Sequence, residues 1–270
     1  MSLYDIIDEI SERQASKTET GDTRVYGVML GVVAKNYDKD MPGRVCVTVP
    51  TRDKDKNELK WARQAWPASG DKWGHYFLPE VGDQVLLVFE GGNIEKPYII
   101  GCVPRDGAKF LSGSADADNQ VKRIVTRNGS MISFEDNKDG GGAKDKILVE
   151  TAGKAHQFLL DNENKVMRLT DKEKGNMIEM QTESGQTKIK VKSRLTLQVG
   201  DRVKIVLNGE SGAVKLEAGE FSIETSNQFK VKADGMVRLE GTQMTLKAAS
   251  MLKAESGGMV DIAGAPIKIG

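Results

Sequence analysis

From Leu195 to Gly270 apolar and polar positions alternate in short bursts, and the bursts return at a fixed interval. One apolar or small residue per burst (Leu216, Ile223, Val231, Leu239, Leu246, Ala254, Ile262, Ile269) is separated from the next by seven or eight residues throughout. Within a burst the apolar side chains take every second position, as in Val214/Leu216/Ala218, Phe229/Val231/Ala233 and Val260/Ile262. A Gly, Ser or Asn usually interrupts before the next burst. Such a pattern predicts short strands with one buried face, stacked as a repeat. Strands this short need neighbours and something to cover the apolar face. A one-chain solenoid takes about 20 residues or more per coil, because each coil turns several corners. Here each step holds one short strand. The simplest closure is three copies, each forming one wall of a triangular prism and pairing strand edges between subunits. Ile223, Val231, Leu239, Leu246 and Ile262 are then expected at the threefold axis, with Lys230, Lys232, Arg238 and Lys247 in water. An antiparallel sandwich with tight hairpins is the alternative, and it rarely keeps such even spacing.

Upstream the pattern changes character. In residues 1–23, Leu3, Ile6, Ile7 and Ile10 fall on one helical face, with Asp5, Asp8 and Glu9 elsewhere. A helix of about 14 residues is marginal alone; docking on a partner or on its own trimer is one expectation and a frayed end the other. Residues 24–106 read as five strands: VYGVMLGVVAKN, GRVCVTVP, WARQAWPA, QVLLVFE and YIIGCV. Turn chemistry separates them at Met41-Pro42-Gly43, Asp53 to Asn57, Ser69-Gly70-Asp71 and Glu90-Gly91-Gly92-Asn93. Five short strands in this length suit a small closed Greek-key barrel of the OB type. Residues 107–120 have the composition of a linker. Residues 121–194 carry a looser repeat, TRNGSMISFEDN, TAGKAHQFLLDNE, KEKGNMIEMQ and SGQTKIKV, and residues 195–270 form the final repeat. The fold class is therefore all-β, with a short N-terminal helix, a barrel and a C-terminal trimeric intertwined β-helix.

Composition supports a β-repeat more than a globular enzyme. Of 270 residues, 29% are charged and only 6% aromatic, and the net charge is zero. In the last 76 positions nine basic and nine acidic residues interleave, which argues against a groove that tracks phosphates. No apolar run approaches the roughly 20 residues of a membrane span, and no signal peptide is evident, so synthesis and folding in the cytoplasm are expected. Cys46 and Cys102, both in strand-like runs, are expected as two buried thiols without a disulfide.

Residues 31–50 and 61–103 carry a specific resemblance. Its pattern is Gly43-Arg44-Val45, Trp61 with Arg63, Trp73-Gly74 followed by Phe77-Leu78-Pro79, then Val81-Gly82-Asp83-Gln84-Val85-Leu86, Gly91, Pro97 and Gly101. These residues resemble the OB domain of phage baseplate assembly protein V and, equally, that of the type VI secretion spike VgrG. The repeats after residue 120 are similar to the neck and needle of the same spike families. The resemblance implies a homotrimeric, membrane-puncturing spike of a contractile injection system, a virion or tail-particle component that touches the target envelope transiently. It also implies a conical tip protein of the PAAR type on the apex Ala265, Pro266, Ile267, Lys268, Ile269 and Gly270. Members of these families often carry a hub-like domain before the barrel. Here a short helix stands there, so the tube hub is expected to be a separate protein.

Enzymatic and cofactor motifs are not found. Relatives with an inserted lysozyme carry it after the barrel, where this chain has about 15 residues. Some needles end in an iron-binding His-x-His, but the histidines here are His75 and His156, and no cysteine follows Cys102. No cofactor and no nitrogen- or sulfur-bound metal are expected; an all-carboxylate site stays open, although no Asp/Glu cluster has calcium-loop spacing. There is no Gly-x-Ser-x-Gly elbow, phosphate-binding loop or His-Glu-x-x-His motif. Asp136 with Asp139, and Glu173 with Glu179, are expected as solvated turn residues. His75 is expected as a surface or interface residue, and Trp61, Trp66 and Trp73 as barrel core and hub contact. Two other function classes stay open: a β-solenoid hydrolase of cell-wall glycans, needing paired carboxylates in a cleft, and an OB-type nucleic-acid binder, whose stacking platform would be the tryptophans. Mixed charge around Trp61 favours no nucleic acid.

Overall fold

The computed structural model describes residues 3–19, 21, 23–50 and 60–268. The expected turn from Asp53 to Asn57 and the apex residues Ile269 and Gly270 lie outside the described residues. Helix α1 (Leu3–Ser16) opens the chain. Five strands follow: β1 (Met29–Lys35), β2 (Arg44–Thr48), β3 (Lys60–Gln64), β4 (Gln84–Phe89) and β5 (Pro97–Val103). They close into a barrel in the order β1-β2-β3-β5-β4, with β3 and β5 parallel and the other described pairs antiparallel. The five runs read from alternation and turn chemistry are these five strands.

The barrel fills its own interior. Val33, Val45, Val47, Ala62, Val85, Leu87 and Ile99 are essentially solvent-free, and Val49, Phe89 and Ile94 complete the core. Two register irregularities, one between Val33 and Lys35 and one opposite Leu86 and Leu87, bend strands that must close a small barrel. Gly31 lets β1 approach β4 closely, since a Cβ there would lie 2.7 Å from Leu87 Cδ1. No tryptophan belongs to this core, and this corrects the expectation for the tryptophans. Trp61 and Trp66 are half-buried outside it and Trp73 is exposed, because a five-strand barrel has room for β-branched side chains but not for indoles. Cys46 is buried as expected, whereas Cys102 is exposed. The alternation of β5 turns Pro97 and Ile99 inward and leaves Ile100 and Cys102 outside.

A helical turn, α2 (Lys109–Ser112), precedes a second sheet of seven strands. These are β6 (Val121–Val125), β7 (Met131–Glu135), β8 (Lys146–Glu150), β9 (His156–Asp161), β10 (Val166–Asp171), β11 (Met177–Gln181) and β12 (Gln186–Lys190). Each pairs antiparallel with the next, so the sheet is a simple meander. Carboxylates at strand ends fasten the turns. Asp161 Oδ1 and Oδ2 accept from the backbone and side chain of Asn164, at 2.9 and 2.8 Å. Asp171 accepts from Gly175 N–H at 2.8 Å and Asn176 Nδ2 at 2.6 Å.

The chain divides into two compact units, the second made of residues 196–207 and 213–270. Strands β13 (Arg194–Val199), β14 (Val203–Asn208) and β15 (Ala213–Glu217) form a three-stranded sheet. Beyond Glu217 no strand is formed among the described residues. This differs from the strands expected there. The seven-to-eight-residue period is nevertheless visible as bends at 219, 226–227, 234–235, 242, 249–250, 257–258 and 265–266. A strand is defined by its hydrogen-bonded neighbour, and the runs between these bends have none among the described residues.

Candidate assembly surfaces

Three features shape exposed surfaces among the described residues. The first is the base of α1. Arg24 Nε donates to the carbonyls of Gln14 and Lys17 at 3.1 and 2.9 Å, and Tyr26 Oη donates to Ala15 O at 2.9 Å. Unpaired carbonyls of the last helical turn are thereby satisfied. The same guanidinium donates from Nη1 to Gly91 O in the β4–β5 turn at 2.5 Å, so the end of α1 is tied to the barrel. Tyr4, Ile6, Ile7 and Ile10 remain exposed.

The second is the corner before β4. Glu80 to Asp83 forms a turn closed by Asp83 N–H to Glu80 O at 3.0 Å, with Gly82 at φ +93° supplying the left-handed residue. Asp83 Oδ2 accepts from Glu80 N–H at 2.9 Å. Two arginines from downstream elements grip this corner: Arg105 donates to Gly82 O at 2.6 Å and Arg127 to Glu80 Oε2 at 2.9 Å. Arg123 in β6 lies over the Phe110 ring and donates to Ser114 Oγ at 2.8 Å. The segment with linker composition is therefore held by side-chain contacts on both sides.

The third is the face of the meander. Its register aligns one apolar residue from every strand in a single row: Ile124, Ile132, Val149, Phe158, Leu169, Ile178 and Ile189. All seven are exposed, between 39% and 51%. Beside it on the same face run Phe134, Ile147, Leu160, Met167 and Met180. The opposite face is polar in large part. There Arg168 and Glu179 face each other and pair at 2.6 Å, and Gln157 donates to Glu150. Glu150, Asp161 and Thr170 are buried while the apolar row is open. Glu179 is thus a strand residue and not the expected solvated turn residue. The hydrogen bond from Arg168 holds its carboxyl below the usual range. Asp136 pairs with Lys122 at 3.2 Å.

In the second unit the side chains expected at the threefold axis, Ile223, Val231, Leu239, Leu246 and Ile262, are 52% to 73% exposed. The charged residues show the same phase. Lys215 with Glu217, Lys232 with Asp234, Arg238 with Glu240 and Lys253 with Glu255 form ion pairs between positions i and i+2. Extended backbone sends i and i+2 to one side and the residue between them to the other. The intervening residues are Leu216, Ala233, Leu239 and Ala254. One side of the run is therefore apolar or small and the other ionic. Ala265, Pro266, Ile267 and Lys268, expected at the apex, are exposed.

The described surfaces carry little that resembles a reaction centre. His75 is exposed and stacks on Phe77 at 6.0 Å. Desolvation raises the thiol pKa of Cys46, against the pull of Lys35, and also that of Cys102, with Asp83 adding to it. Neither is an activated thiolate. Among the described residues no group of three or more His, Cys, Asp or Glu side chains could hold a metal ion. No helix among them is long and apolar enough to cross a membrane.

Residues 29–103 match the family model of the type VI secretion system/phage-baseplate injector OB domain. The matched span begins at the first residue of β1 and ends at the last residue of β5. The resemblance drawn from Gly43-Arg44-Val45, Trp61, Arg63 and the Val81 to Leu86 run is borne out for the barrel, and it supports a structural role in a baseplate. No curated protein matches the chain.

Proposed function

We propose that this chain is the spike subunit of a phage tail or related contractile injection system, joining the tube hub to the tip and acting as a homotrimer. Its part is mechanical: a contracting sheath drives a stiff tube, and the spike concentrates the force on a small area of target envelope. The observation that carries the reading is the seven-residue apolar row across the meander, left open on a chain whose later repeat also buries nothing by itself. Full burial of one such side chain contributes about 1.5–3 kcal/mol, and exposed contiguous apolar surface of this kind marks an interface. Copies of the chain are the covering partner that the even repeat supports, since three walls close a prism and pair every strand edge. The injector match of the barrel supports the setting.

The barrel, with α1 held at its base, is the part that meets a separate hub protein. The apex from Ala265 onward takes a tip protein of the PAAR type. Small side chains and open strand edges suit such a cap. Light scattering of the purified protein is expected to give three times the chain mass, and electron micrographs to show a needle with a knob at one end. A monodisperse monomer at micromolar concentration overturns the trimer. Deletion of Ala265–Gly270 is expected to leave the trimer intact and abolish capture of the cognate tip protein. Equal capture by both forms places the tip contact elsewhere.

A further inference from the structure

The outer face of β2, β3 and β5 holds two arginines in an unusual relation. Arg44 and Arg63 are direct partners across the antiparallel β2–β3 pair, and Arg63 is the register partner of Tyr98 in β5. Together with Trp61 they line an open cavity of about 370 Å³. Like charges directly opposite one another across a ladder repel, and the cations beside them are already matched. Lys60 pairs with Glu95 at 2.6 Å and Lys96 with Glu90 at 3.4 Å, while Tyr98 Oη donates to Glu90 Oε2 at 2.8 Å. Arg63 lies 5.9 Å from the Tyr98 ring centre and donates to its hydroxyl at 3.3 Å. The Arg44 side chain makes no hydrogen bond or ion pair among the described residues. Arg63 is linked through the Tyr98 hydroxyl to Glu90 in the same cavity, whereas Arg44 faces that cavity with no hydrogen-bonded or ion-paired anion among the described residues.

We propose that this cavity is a carboxylate-binding pocket, in which Arg44 and Arg63 hold one acidic side chain of a docked polypeptide against Trp61. Guanidinium forks recognise carboxylate and phosphate alike through parallel N–H bonds. The wall decides between them. Glu90 and Glu95 stand in the same cavity, so a phosphate with roughly 1.5–2 negative charges meets more repulsion there than a singly charged carboxylate. OB barrels use their β2–β3 face for oligonucleotides, yet a strand of phosphodiesters needs a continuous basic track, and here acids alternate with bases.

The test uses the full-length protein at constant ionic strength, titrated separately with N-acetylglutamate amide, inorganic phosphate and a single-stranded oligonucleotide. Tryptophan fluorescence and thermal shift are the readouts. Saturation by the glutamate probe near 1–10 mM, lost in Arg44→Gln and in Arg63→Gln, is the expected result. Arg44→Lys keeps the charge without the planar fork and is expected to weaken the probe severalfold at unchanged melting temperature. Tighter saturation by phosphate or by the oligonucleotide overturns the carboxylate assignment. A second arm compares the mass of the wild type and the Arg44→Gln/Arg63→Gln double variant. Loss of assembly with an intact fold, judged by circular dichroism, identifies the carboxylate as one supplied by a second copy. Unchanged mass together with the glutamate titration identifies a different protein as its source. No response to any probe with unchanged mass overturns the proposal.

Discussion

The barrel and the C-terminal repeat use the same kind of residue in opposite ways. In the barrel, aliphatic side chains at alternate positions meet one another across a closed interior, and Val45, Val47, Val85, Leu87 and Ile99 are solvent-free. In the repeat, Ile223, Val231 and Leu239 alternate as regularly and remain in water. Closure makes the difference. Five strands with two bends return to their starting edge within one chain, whereas the short runs at seven-to-eight-residue steps beyond Glu217 form no strand pairs among the described residues. The meander lies between these extremes. It pairs all its strands, yet it buries Glu150, Asp161 and Thr170 and exposes the row from Ile124 to Ile189.

The sharpest way to break this comparison is a charge in the repeat. Val231→Asp is expected to place one carboxylate per subunit at the proposed axis, where unpaired charge is costly. Light scattering should then report loss of the trimer, while the barrel keeps its own unfolding transition. Leu87→Ala is the converse. It opens a cavity in a core that one chain completes, and denaturant unfolding of the barrel should lose about 2–5 kcal/mol with the oligomeric mass unchanged. A dependence of the barrel transition on protein concentration would show that its core is not self-sufficient.

A smaller effect separates the two faces of the meander. Leu169→Ser, on the open row, is expected to weaken association and to leave the unfolding of a dissociated chain nearly unchanged. Acid acts on the turns instead. Bonds from Asn176 and Gly175 hold the Asp171 carboxyl below its usual range, and at Asp161 the bonds from Asn164 and the nearby Lys146 outweigh a desolvation that pushes the other way. A lowered folded-state pKa stabilises above the unfolded value and is lost as pH falls through the folded one. The meander should therefore keep its stability down to the ordinary carboxylate range, about pH 4, and lose part of it below. Asp171→Asn should flatten that loss in a pH series of thermal melts. The smallest effect belongs to Lys232→Asp on the ionic side of the repeat, with a melting shift under about 2 °C. If Val231→Asp and Lys232→Asp behave alike, the inward and outward phase is reversed.

Much of this architecture was legible in residue order. Alternation and turn residues define all five barrel strands, because a half-buried strand leaves a two-residue period that needs no partner to be read. Gly, Ser and Asn punctuation marked the bends of the repeat, and a 3.6-residue period marked α1 as a helix. What residue order left open concerns neighbours. Cys102 and the three tryptophans lie in strand-like or aromatic runs, but only the curvature of a narrow barrel decides that an indole stays outside. Glu179 lies among lysines and turn residues in sequence, and only the β10–β11 register sets it opposite Arg168. The pairing of Arg44 with Arg63, 19 positions apart, and the alignment of seven apolar residues from seven strands are likewise facts of register. Periodicity along a chain is a local property that the sequence determines. Which residue stands across from another depends on where strands stop and how tightly they close, and tertiary structure alone decided that.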